Sequence, residues 1–216
     1  MPQVRRRFGR LFYVTIVVAL GALATLPFWQ TAIEQSRAWG LTRQLHDQNE
    51  VVRRRAVDGL LQLGPAASPW VIGAMRDRDA QVRALATSIV ASTAPEAVER
   101  PLAALAVAIK DPDPTVRAAA IGQLEHIVGR PGLSLESPVV DRCVKALCSV
   151  LNDQTPPVRM AVEAAIWNPR LWSQTTAAEL ERALENGDKP LRVFAAHVLL
   201  RSGPESVRPR VIEAMR

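Results

Sequence analysis

The chain has 216 residues, nearly half of them apolar (48%), which suffices for a buried core and excludes a wholly disordered protein. Alanine, leucine, arginine and valine dominate over aromatics and glycine, so helix is favoured over sheet. The formal charge of +6 is concentrated at the start: Arg5, Arg6, Arg7 and Arg10 precede the first acidic residue, and the remaining 23 Lys+Arg face 21 Asp+Glu, so the body lacks the basic excess of a nucleic-acid binder.

Residues 1–10 form a basic segment, and residues 11–29, LFYVTIVVALGALATLPFW, run for 19 residues without a charge. At about 1.5 Å rise per residue such a run predicts a transmembrane helix or signal anchor. Tyr13 and Trp29 suit the two interfaces, and Pro27 can end or kink the helix. The arginines on the N-terminal side predict a single-pass membrane protein with a cytoplasmic N-terminus and an exported (periplasmic or extracytoplasmic) body. Ala22-Leu23-Ala24 also suits a cleavage site, the alternative being a cleaved signal peptide and a soluble exported body. The Arg-Arg-Arg-Phe run is compatible with a twin-arginine export signal, although nothing downstream looks like a cofactor-bearing cargo. Arg37 and Arg43 keep the opposite orientation open.

Residues 30–216 are organised by one phrase, seen most clearly in Asp111 to Leu124, DPDPTVRAAAIGQL. It recurs around Arg53, Arg83, Arg117, Arg159 and Arg192. Six residues before each Arg stand Asp47, Asp77, Asp111, Asp153 and Asn186; four before stand Asn49, Asp79, Asp113, Thr155 and Asp188. Val52, Val82, Val116, Val158 and Leu191 come immediately before, and Ala56, Ala86, Ala120, Val162 and Ala195 three after. The fourth-residue column supplies N-caps, and Pro114 and Pro156 occupy first helical positions, where a missing N–H costs nothing. Gly64-Pro65, Ser92 to Pro95, Gly129, Asn168-Pro169 and Gly203-Pro204 stop these helices. Second helices are predicted at roughly 68–76, 95–110, 138–152, 175–186 and 205–216 from apolar residues at helical spacing, such as Val140, Cys143, Val144 and Leu147.

Residues 31–46 precede the first unit and read as a capping helix. The hairpins then cover about 47–76, 77–110, 111–152, 153–186 and 187–216. Arg-to-Arg spacings of 30, 34, 42 and 33 residues, with two helices per unit, predict an all-α fold, a right-handed α-solenoid of about five helical hairpins. The Asp/Asn column, the Val-Arg pair, the Ala three later and the Leu63-Gly64 ending resemble HEAT repeats, of the HEAT-like type associated with phycobilisome lyases. That resemblance implies a ladder in which each Arg pairs with an Asp of a neighbouring repeat: Arg53, Arg83, Arg117, Arg159 and Arg192 with acids among Asp47, Asp77, Asp111 and Asp153. Asn186 departs from the pattern and implies an uncharged, weaker last rung. The physical use of such a ladder is register, since a bidentate Arg–carboxylate pair fixes orientation while its net stabilisation stays modest.

No nucleophile elbow, HExxH, glycine-rich phosphate loop or metal-spaced Cys pair occurs, so no catalytic, cofactor-binding or metal residues are assigned and no enzyme is expected. His46, His126 and His197 fall in different repeats. Cys143 and Cys148 read as small hydrophobes. Candidate partner-binding residues lie where the repeat rule breaks or charges interrupt the second helices: Arg130, Leu133 and Leu135 in the 129–138 connector; Trp167, Arg170 and Trp172 around a turn; and Arg142, Lys145 and Arg182. Glu99, Arg100, Glu181, Arg208 and Arg210 are weaker candidates of the same kind. The expected function is a membrane-tethered, non-enzymatic scaffold or adaptor, anchored through residues 11–29 and binding a partner protein through the solenoid surface. Self-association through the C-terminal hairpin is compatible with it. The alternatives are a HEAT-like lyase, a DNA-glycosylase-type enzyme, or a purely structural subunit of a membrane complex.

Overall fold

The computed structural model describes residues 29–94, 97–134, 136–168, 174–187, 189–202 and 208–214. Among these, every regular element is helical. Helix α1 covers residues 29–44 of the described chain. It is followed by α2 (Glu50–Leu63), a short 3-10 turn (Gly64–Ala66), α3 (Ser68–Ala74), α4 (Ala80–Ile89), α5 (Glu99–Ala108) and α6 (Pro114–Val128). Then come α7 (Pro138–Cys148), α8 (Pro156–Ile166), α9 (Gln174–Asn186), α10 (Lys189–Ser202) and α11 (Arg208–Ala214). The even-numbered helices from α2 to α10 carry the Val-Arg phrase and the odd-numbered ones return the chain, giving a solenoid-like stack of helical repeats.

Helix starts follow from local chemistry. Asn49 accepts from the Val51 amide, Asp79 from Gln81, and Asp113 from Thr115 and Val116, each from an extended backbone conformation. Pro114, Pro138 and Pro156 sit at the first helical position. Gly64 ends α2 with φ +54°, a left-handed conformation that glycine adopts without steric cost. Helix α4 stops at Ile89, and side chains of the next repeat close its end: Gln123 Oε1 accepts from the Ala91 amide at 3.1 Å, and Arg130 Nη2 donates to the Ala91 carbonyl. Helix α5 begins at Glu99, later than the apolar spacing suggests.

The core runs along the seam between the two rows. Val82, Ala86, Val116, Ala120, Leu124, Val158 and Ala195 are fully buried, which is what the residues at fixed offsets from each Arg were spaced to do. Helix α1 covers the first hairpin with Ala38, Leu45 just past its end is buried as well, and Gln35 Oε1 accepts from Trp70 Nε1 at 2.5 Å.

The membrane expectation is corrected. No helix among the described residues is long and apolar enough to cross a membrane. Over residues 29–44, α1 carries Glu34, Arg37 and Arg43 and buries Ala38 against the first hairpin, so this described part is an amphipathic packing helix. The segment 11–28, the core of the expected anchor, lies outside the described residues. Neither the single-pass topology nor an exported body is retained.

Candidate interaction surface

The Arg and Asp columns are built by the turn between each return helix and the next Val-Arg helix. Asp77, Asp111 and Asp153 each accept the amide two residues on, at 2.9 Å, closing a local turn that aims the other carboxylate oxygen outward. In the middle of the stack that oxygen meets an arginine. Arg83 Nε and Nη2 donate to Asp111 Oδ2 and Oδ1, both at 2.8 Å, while Nη1 donates to the Asp77 and Arg78 carbonyls. Arg117 repeats the arrangement: Nε donates to Asp153 Oδ2 at 2.7 Å, Nη2 to Asp153 Oδ1 and Thr155 Oγ1, and Nη1 to the Asp111 and Pro112 carbonyls. Each guanidinium thus bonds its own turn and the turn of the following repeat. These side chains are only 10–14% exposed. Burial pushes the Asp111 and Asp153 carboxyls up, but hydrogen bonds from Arg83 and Arg117 and from the turn amides outweigh it, and both end below the ordinary carboxylate value.

The outer positions differ. Arg53 Nη1 donates to the Asp47 and Gln48 carbonyls at 2.8 and 2.9 Å but pairs with no carboxylate; Asp77 instead lies 3.1 Å from His46 Nε2. Among the described residues the Arg159 guanidinium makes no hydrogen bond or ion pair, only its amide donating to Thr155 within the helix. Asn186, which stands where an Asp would receive it, donates to the Arg182 carbonyl of its own helix at 3.3 Å. The weak uncharged rung expected there is therefore not formed. Arg192 is exposed.

Packing changes at the same places. Helices α4 and α6, and α6 and α8, lie against each other closely; α2 touches α4 over a shorter stretch, and α8 and α10 hardly touch. Between α8 and α10 opens a groove of about 680 Å³, lined by Arg159, Glu163 and Trp167 on one side and Lys189, Val193, Phe194 and His197 on the other. The Trp167 ring meets His197 edge-on at 5.6 Å, and the Arg201 guanidinium stacks 4.9 Å from the Trp167 centroid.

The remaining sequence candidates are dispersed. Arg130 fastens the connector to α4, and Leu133 is packed against the core. Arg142 Nη1 bonds Glu99 Oε2 at 2.6 Å, Lys145 pairs with Asp141, and Arg182 with Glu179, all exposed contacts of small energetic weight. Leu135, Arg170 and Trp172 lie outside the described residues, as does the side chain of Arg210. Cys143 is buried and Cys148 half-buried; burial pushes both thiols up to about 12, which leaves them protonated and poorly nucleophilic at neutral pH. No cluster of three or more His, Cys, Asp or Glu among the described residues could hold a metal ion. Glu163, Lys189 and Phe194 were not singled out from the sequence. A signal was present for Glu163: it holds the column filled by Thr87 and Ile121, both fully buried.

With this geometry in place, similarity to known proteins can be stated. Residues 40–125 match the family model for HEAT repeats. One structure, of the complex of CpcE and CpcF of phycocyanin lyase from Nostoc sp. PCC7120, has a chain that aligns with TM-score 0.55 at 20% identity, covering 84% of this chain and 99% of that one. An engineered protein aligns with TM-score 0.51 at 19% identity, over 82% of this chain and 85% of its own. A designed armadillo repeat protein aligns with TM-score 0.47 at 16% identity, over 81% and 87%. At these identities the likeness concerns the fold. No curated protein matches the sequence.

Proposed function

We propose that this chain is a protein-binding HEAT-repeat subunit that works in a complex. In this reading the units near 47–76, 77–110, 111–152, 153–186 and 187–216 stack as a right-handed solenoid. The paired arginines hold the register, and residues outside the ladder meet the partner. The observation that carries it is the groove between α8 and α10, where the regular stack opens and exposes aromatic and charged side chains together. The likeness to a chain of a two-chain complex supports it.

The test is photo-crosslinking in cells from a probe placed at Val193, which is 55% exposed, and at Val51, 56% exposed on the far end of the same row. A single recurrent partner, joined from one of these faces, is the expected result. Crosslinks scattered over many proteins from both positions would exclude the reading.

A second reading, a subunit of a lyase, is favoured by the nearly complete coverage of a chain of the CpcE–CpcF complex. Assaying the chain together with its crosslinked partner for lyase activity on phycocyanin separates the two: turnover that needs both chains establishes the second reading, and inactivity of the complex removes it.

A further inference from the structure

We infer that the groove between α8 and α10 takes an acidic peptide segment of a partner protein, with an Asp or Glu of that peptide received by Arg159 in place of the missing intrachain Asp. This deepens the protein-binding reading and rests on it.

The inference begins in the repeat rule itself. In the two central repeats the Arg receives a carboxylate from the following repeat and also bonds two carbonyls of its own turn. In the fourth repeat neither happens: the Arg159 guanidinium is without a hydrogen bond or ion pair among the described residues, and Asn186 is turned to its own helix. A half-buried guanidinium with an open donor fork matches a carboxylate or a phosphate with two parallel charge-assisted bonds, and the sibling arginines Arg83 and Arg117 both take a carboxylate. Lys189, likewise without a partner among the described residues, lines the same groove, so among the described lining residues two cations face one carboxylate, that of Glu163; Asp153, in the adjoining pocket beside Arg159, is already paired with Arg117. The charge balance of the groove thus favours an anion.

The seam is also opened by sequence rather than by accident of packing. The position four after the Arg is Thr87 and Ile121 in the closed seams, each fully buried, and Glu163 here, exposed. A charged side chain at a seam position resists closure by the next repeat, since an unpaired carboxylate is costly to bury. One residue after the Arg, the central repeats have Ala84 and Ala118; here Met160 is 70% exposed and its counterpart Val193 is 55% exposed. Val193 and Phe194 give the groove an apolar wall and Trp167 with His197 an aromatic one. The occupant is therefore a peptide carrying an acidic residue beside an aliphatic or aromatic one. Its backbone amides can donate to Glu163.

The experiment is selection of displayed random short peptides on the purified chain, followed by affinity measurement on Arg159→Gln, Asn186→Asp and, as a charge control, Arg54→Gln. Enriched peptides are expected to share an Asp or Glu next to an apolar residue. Arg159→Gln should weaken them roughly tenfold, about the loss of one charge-assisted pair. Asn186→Asp should weaken them too, by supplying the carboxylate in cis, while raising the melting temperature; a variant that melts higher has not failed to fold. Arg54→Gln should leave the affinity unchanged. Enriched peptides without a carboxylate, an affinity untouched by both groove variants, or a library with no enrichment overturns the assignment of this groove. The broader reading is judged separately: a recurrent partner crosslinked only from Val51 would sustain protein binding while the groove fails. Peptide binding without any recurrent crosslinked partner would do the reverse.

Discussion

The middle of the molecule and its two flanking seams are built from the same phrase and behave differently. Around α4, α6 and α8, Arg83 and Arg117 each join two turns, and the helices lie close. At the first seam the Arg53 side chain bonds only its own turn, and at the last the Arg159 guanidinium bonds nothing among the described residues; there the helices are in looser contact. An arginine bonded only within its own repeat shapes a turn. One that also reaches the next repeat sets the distance between repeats, and where that reach is missing a surface is left over for something else.

Replacing Arg117 is the strongest way to test this contrast. Arg117→Ala leaves the largely buried Asp153 carboxylate without its cation, held only by the Thr155 amide and hydroxyl, and frees two turn carbonyls; a loss of about 3 kcal/mol in urea unfolding is expected. Arg53→Ala removes only bonds to exposed carbonyls and should cost about 1 kcal/mol or less. Equal losses would erase the distinction between centre and edge.

Acid sharpens it next. The Asp111 and Asp153 carboxyls are held below the unfolded value of about 3.9. Their contribution is therefore complete above that value and is lost as pH falls through the lower folded one. The unfolding midpoint should drop steeply below about pH 4, and less steeply in Arg117→Ala, whose Asp153 has lost its partner. Parallel acid profiles for the two proteins would show that the central carboxylates are not tied to the ladder.

Helix capping should matter less. Asp113→Ala removes the acceptor for the Thr115 and Val116 amides and should cost about 1 kcal/mol, read from thermal unfolding. Smallest of all is His46→Gln: the contact with Asp77 is solvent-exposed, with His46 49% accessible, so a change under about 0.5 kcal/mol is expected. A large effect there would make the first seam a true rung with histidine in place of arginine.

Much of the architecture was legible because it is periodic. The N-caps Asn49, Asp79 and Asp113, the prolines at first helical positions and the apolar residues at fixed offsets from each Arg act locally or along one helix face, and the copies reinforce one another; Thr155 of the same column makes no cap bond, its hydroxyl donating to Asp153 instead. The all-helical repeat fold follows from them. The apolar run at 11–29 was legible too, and hydropathy alone sent it to a membrane; no helix among the described residues is long and apolar enough to cross one, and α1 over 29–44 packs Ala38 on the first hairpin. Arg130 looked like a binding residue because its connector is irregular, yet its guanidinium donates to Ala91 in the preceding repeat. No spacing rule links positions so far apart in the chain.

The sequence by itself determined that helices pair and stack with an Arg and an Asp at each turn, because caps, prolines and helical spacing are short-range. It also placed Asn186 where an acid belongs and Glu163 where the closed seams carry the uncharged Thr87 and Ile121. Only the tertiary structure decided which arginines reach the next turn, that His46 stands beside Asp77, and that α8 and α10 part to leave a groove with Arg159 in it. Those outcomes depend on distances between repeats, and such distances are set jointly by side chains that lie a whole repeat apart in the chain.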